Sequence, residues 1–192
     1  IEESKDSGCD IAKFKLYDVD KIFRGKIIMA RGENWYDEVK RTQLSKEQVK
    51  YLFEICQAEE IEFMASAFDI ERLGWLGELG VKKHKIATKM NRDAGYIEAV
   101  KATGKPIYFS GGKLTSRAGL WQHKVAYLYC VPLYPTPLNE LDFKRIRFPD
   151  EFQGFSDHCV GIEPSMIALA RGAQIIEKHF TLDTNDPGGP DH

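Results

Sequence analysis

Apolar stretches of strand length alternate along this chain with stretches in which apolar residues recur every three or four positions. The short runs read as buried strands, and the three-to-four period reads as helices that bury one side. The pattern predicts strands over 11–16, 61–66, 83–88, 107–110, 125–131, 154–158 and 174–180. The best-marked helix begins at Ser45, where Ser45 and Gln48 form a capping box, Leu44 and Val49 a hydrophobic staple, and Val49, Leu52, Phe53 and Cys56 one face. Further helices are predicted over 70–79, 93–103 and 164–171, stopped by Gly80, Gly104 and Gly172.

Alternating strands and helices predict βα units around a parallel sheet, in one domain. Polar residues gather at the C-terminal ends of the strands, where TIM barrels build their active sites, so the expected fold is an α/β (β/α)8 TIM barrel. Seven strands are one short of closure. Residues 1–8 resemble the end of a helix and the chain opens on Ile1 rather than Met, so a first strand and most of that helix are expected to precede it. The 192 residues are also few for a fold that typically takes about 250.

Composition narrows the function classes. The content is 43% hydrophobic and 29% charged, as in an ordinary globular protein. The 27 basic and 29 acidic side chains are interspersed, which leaves no footprint for nucleic acid or a membrane surface. Any anion site must be local. Cys9, Cys56, Cys130 and Cys159 lie far apart in apolar contexts and read as reduced core residues, which points to the cytoplasm. The sequence has no apolar run long enough for a membrane span and no signal-like N-terminus.

Lys13 and Lys15 share one face of the first strand, and Lys85 lies inside HKIAT at 84–88. Taken singly, each lysine reads as one that snorkels to water. Lysines entering a barrel from two separate strands favour a bound phosphate or carboxylate, because a buried ammonium needs an anionic partner. Hydroxyls at comparable strand ends, Ser66, Thr88, Ser110 and Ser156, can donate to the same anion.

His158 in GFSDH and His179 in EKHFT stand where adjacent strands run out. Two imidazoles there can hold a divalent metal with an open coordination shell, and the competing reading is a pair of core histidines bonded to carboxylates. Asp157, Glu177 and Asp191 are candidate further ligands or partners of the ligands. Tyr134, before the prolines of YPTP at 134–137, reads equally as a ring packed under a rigid turn and as a substrate contact.

Together, KFK at 13–15, HKIAT at 84–88, GKPIYFSGG at 104–112, YCVPLYPTP at 129–137, GFSDH at 154–158, IIEKHFT at 175–181 and PGGPDH at 187–192 resemble the sialic acid synthase family. That family condenses phosphoenolpyruvate with an N-acylated amino sugar to make nonulosonic acids. The resemblance implies that His158 and His179 bind a divalent metal, manganese first, with magnesium, cobalt or zinc as alternatives. It implies that Lys13, Ser66, Lys85, Thr88, Ser110 and Ser156 line the phosphoenolpyruvate pocket, and that Lys15, Tyr134 and Asp191 face the sugar. Asp191, Lys13 and Tyr134 are the candidate catalytic residues.

The departures from the family pattern are specific. Lys15 stands where glutamine is typical, Met90 where a glutamate is common, Pro132 where a small polar residue is usual, and Gly111 where threonine is usual. The first barrel strand, with an expected catalytic glutamate, and the C-terminal antifreeze-like domain of dimeric members are expected to lie outside this sequence. The stretch 111–124 is short for the usual connecting helix. A homodimer, a non-catalytic metal- and anion-binding barrel, and a 3-deoxy sugar-acid synthase are the further readings these features leave.

Overall fold

The structure is a computed structural model that describes residues 1–23, 29–30, 33–112 and 124–183. Helix α1 (Glu2–Asp6) leads into β1 (Ile11–Leu16), followed by α2 (Val19–Ile22), a ribbon of β2 (Met29–Ala30) and β3 (Glu33–Asn34), and α3 (Tyr36–Arg41). Next come α4 (Lys46–Ala58), β4 (Glu62–Ala67), α5 (Ile70–Glu78), β5 (His84–Ile86), α6 (Ala94–Ala102) and β6 (Ile107–Gly112). The run closes with β7 (Val125–Cys130), β8 (Gly154–Asp157), α7 (Glu163–Ala170) and β9 (Ile175–Lys178).

All seven predicted strands form, with each end within two residues of the sequence expectation. β1 pairs with β4, β5 to β9 pair in order, and every one of these ladders is parallel. β4 packs beside β5. Lys13 on β1 nonetheless meets Glu177 on β9, at the opposite end of the strand order, so the sheet is curled into a partial barrel. The segment between β1 and α4, over which the sequence predicts no element, is not a plain connection. Its two short helices and small antiparallel ribbon follow no sustained hydrophobic period, which is the signal that marks longer elements.

The convex face of the sheet makes the core. Leu16, Phe63, Ile86, Phe109, Tyr129 and Phe155 are buried there with Val49 and Cys56 of α4, Leu73 and Leu76 of α5, Val100 of α6 and Ala168 of α7. The capping box at Ser45 is present in full. A side chain at Gly154 would collide with the Ile175 carbonyl oxygen, so glycine is what lets β8 and β9 lie together at the base of the site. Cys56, Cys130 and Cys159 are buried as expected; Cys9 is exposed, because the turn between α1 and β1 leaves it outside the core. No described helix is long and apolar enough to cross a membrane.

His84 opens β5 on the convex side, 1% exposed, and neither ring nitrogen has a hydrogen-bond partner. Burial, aided by Lys105, pushes its pKa down to about 4. Because the folded value lies below the unfolded one of about 6.5, the stability this group confers is present above pH 6.5 and is lost as pH falls toward 4. Comparing wild type with His84→Leu by denaturant unfolding at pH 7 and pH 4 should show the wild type losing about 3 kcal/mol relative to the variant. Equal losses would mean that His84 does not govern this acid sensitivity.

Candidate functional site

Because side chains alternate across a strand, Lys13 and Lys15, Ser66, Lys85, Ser110, Ser156 and Glu177 share the concave face opposite the aromatic core. Glu177 is their hub. Its Oε1 lies 2.9 Å from the Lys13 ammonium, and its Oε2 accepts from Ser156 Oγ at 2.5 Å and lies 3.3 Å from Lys85 Nζ. Lys85, only 3% exposed, also donates to Ser110 Oγ at 2.7 Å. Burial alone would raise the Glu177 carboxyl, but Lys85 and then Lys13 override it and hold the group well below the usual carboxylate range. Burial lowers Lys85, and Glu177 partly restores it.

Lys13 and Lys85 share one internal carboxylate, which leaves the cluster with a net positive charge. That is the electrostatic condition for holding an anion where water is scarce. Ser66 Oγ, on the same face, is buried without a hydrogen-bond partner, a donor ready for an added oxygen. Thr88 opens the 3-10 turn after β5, and its hydroxyl meets Cys130 Sγ at 3.4 Å. Beside it an open cleft of about 500 Å³ is lined by Thr88, Asn91, Arg92, Gly111, Pro132 and Leu133, among others.

His158 and His179 each follow the last ladder residue of their strands, β8 and β9. Their ring centroids are 5.5 Å apart with planes at 77°. His158 Nδ1 donates to the Val131 carbonyl at 2.8 Å, which leaves Nε2 with the lone pair. Burial pushes its pKa down to about 4, so the ring is neutral and able to donate that lone pair at neutral pH. Tyr134 lies over His158 at 4.1 Å and beside His179 at 5.5 Å, while the Lys15 ammonium stands 5.5 Å from the tyrosine ring. Tyr134 is therefore at the mouth beside both imidazoles, rather than packed beneath its turn.

The structure thus brings together Lys13, Lys85, Ser110 and Ser156 through Glu177, and brings together Lys15, Tyr134, His158 and His179 in a second group. Thr88 reaches the second group through Cys130, whose Sγ lies 4.0 Å from His158 Nδ1. Asp191 and the rest of PGGPDH lie outside the described residues, as does His123. Asp157, a candidate ligand or partner of a ligand, faces outward with His158 turned inward; it is fully buried and bonds Ser165, Lys178 and the Cys159 amide. Glu177, considered as a ligand, instead balances the lysines. Its parity with His179, two residues further along, is the sequence signal that it faces the same side as that histidine. Cys130, expected only as a core residue, is buried between Thr88 and His158 on the concave side.

The NeuB family model matches residues 1–192. The chain is 31% identical to the N,N'-diacetyllegionaminic acid synthase of Campylobacter jejuni, over all of this chain and 64% of that protein. It is 28% identical to the human N-acetylneuraminate-9-phosphate synthase, over all of this chain and 59% of that protein. It therefore spans less than two thirds of the length of either relative. The crystal structure of a sialic acid synthetase from Leptospira borgpetersenii in complex with citrate matches 95% of this chain and 66% of its own, with 29% identity and a TM-score of 0.82. With its parallel strands curled as in that structure and the family match running along its whole length, the chain belongs to the NeuB family.

Proposed function

We propose that the chain carries the phosphoenolpyruvate and metal half of a synthase that joins phosphoenolpyruvate to an N-acylated amino sugar, forming a nonulosonic acid and phosphate. The observation that carries this reading is the Lys13–Glu177–Lys85 cluster, flanked by Ser110, Ser156 and the unpartnered Ser66 hydroxyl, beside two imidazoles. Lys13 and Lys85 hold the phosphate and carboxylate; the serines orient individual oxygens. Fixing them removes much of the entropic cost of bringing two reactants together, and donors set in advance favour charge that develops on the leaving phosphate.

Two imidazoles are suitable donors for a divalent first-row metal, and the His158 Nδ1 bond to Val131 leaves the opposite ring nitrogen available to one. Among the described residues no cluster of three or more histidine, cysteine or acidic side chains is placed to hold a metal. His158 and His179 would then share the ion with water, substrate or a group outside those residues. Bound there, manganese or a similar ion supplies Lewis-acid polarisation of the sugar aldehyde.

In the reaction, C3 of phosphoenolpyruvate forms a bond to the aldehyde carbon, water adds at C2, and phosphate leaves with cleavage of its C–O bond. The cleft bounded by Thr88, Arg92, Pro132 and Leu133 accommodates the sugar beside Tyr134. Its wall at Pro132 and Leu133 is apolar, which suits an acyl group better than a hydroxyl.

The test is phosphate release by the full-length protein from phosphoenolpyruvate and a panel of N-acylated amino sugars, with and without manganese. Release that needs both the sugar and the metal is expected. Metal-independent turnover, or no release with any amino sugar, would overturn the reading.

A further inference from the structure

The last register pair of the β8–β9 ladder is Asp157 with Lys178, and the next residue on each strand is a candidate metal ligand, His158 or His179. No ladder pair therefore fixes the separation of the two imidazoles. The pair beneath them is tied through side chains instead. On the convex face Asp157 Oδ2 lies 3.1 Å from Lys178 Nζ and accepts from Ser165 Oγ of α7 at 2.6 Å. Asp157 Oδ1 accepts the Cys159 amide at 2.8 Å, and Lys178 Nζ also donates to the Cys159 carbonyl at 2.8 Å. The backbone that carries His158 is thus gripped on both sides of the histidine and linked to the residue before His179.

We infer that Asp157 and Lys178 are positioning residues that set the spacing of the His158 and His179 imidazoles for a metal, although neither touches it. The inference rests on the metal reading of those histidines. Its physical basis is that imidazoles displaced by a fraction of an ångström fit one coordination sphere poorly, whereas the lysine cluster on the concave side does not depend on this tie. Groups that orient metal ligands typically contribute 10–100-fold to affinity.

The experiment measures Mn2+ affinity of the full-length protein by electron paramagnetic resonance, and inorganic phosphate affinity by calorimetry, for wild type, Asp157→Asn, Lys178→Met and Lys178→Arg. Lys178→Met tests the tie even if Asp157→Asn fails to fold, because the lysine is partly exposed while the aspartate is fully buried. Expected for Asp157→Asn and Lys178→Met is Mn2+ binding weaker by about 10–100-fold with phosphate affinity within about twofold of wild type. Lys178→Arg, which can rebuild the bond to Asp157, should restore most of the Mn2+ affinity. Unchanged Mn2+ binding, or metal and phosphate affinities falling together, would overturn the inference. A wild type that binds no Mn2+, or binds it equally after His158→Ala, would overturn the metal reading and the inference with it.

Discussion

Replacing Lys85 with methionine is expected to abolish measurable phosphate binding and to lower kcat/KM for phosphoenolpyruvate by about 10²–10³-fold, the usual effect of removing one preorganised charge-stabilising donor. The magnitude follows from location. Lys85 is 3% exposed and bonded to Ser110, so its charge acts where little water screens it. Lys13 is more exposed, and Lys13→Met should cost less. Methionine fills much the same volume, so the fold should persist with Glu177 still paired to Lys13. Retained phosphate affinity in the Lys85 variant, read by calorimetry, would place the anion elsewhere.

Replacing His158 with alanine is expected to weaken Mn2+ binding by more than about 100-fold, beyond what loss of an orienting partner of a ligand costs. Phosphate release should disappear with it and return only in the wild type when Mn2+ is restored after chelation. The His158 imidazole keeps Nε2 for a ligand. Its Nδ1 is occupied by the Val131 carbonyl, and burial keeps the ring neutral with its pKa pushed down to about 4. Full turnover in His158→Ala, followed by phosphate production under chelator, would remove the metal from the account.

Much of this site is legible from residue type and strand position. Every strand predicted from its apolar run formed, and the lysines and strand-end hydroxyls singled out on those strands, Lys13, Lys85, Ser110 and Ser156, meet around one carboxylate. Parity does not reveal partners. Glu177 stands in the sequence as a candidate ligand or partner of a ligand, but whether it meets a metal or the lysines depends on how far the sheet curls, which brings β1 and β9 together. Asp157 illustrates the reverse: inward placement of His158 required its neighbour to face out, yet an acidic residue beside a histidine suggested a ligand. The helices and ribbon between β1 and α4 were illegible because no repeating apolar face marks them.

The most direct test of the account is a crystal structure of the full-length protein with Mn2+ and phosphoenolpyruvate, read by anomalous scattering. The account predicts a manganese peak about 2 Å from Nε2 of both His158 and His179, with the phosphate and carboxylate held by Lys13, Lys85, Ser66, Ser110 and Ser156. A metal away from these imidazoles, or phosphoenolpyruvate bound without Lys85, would contradict it.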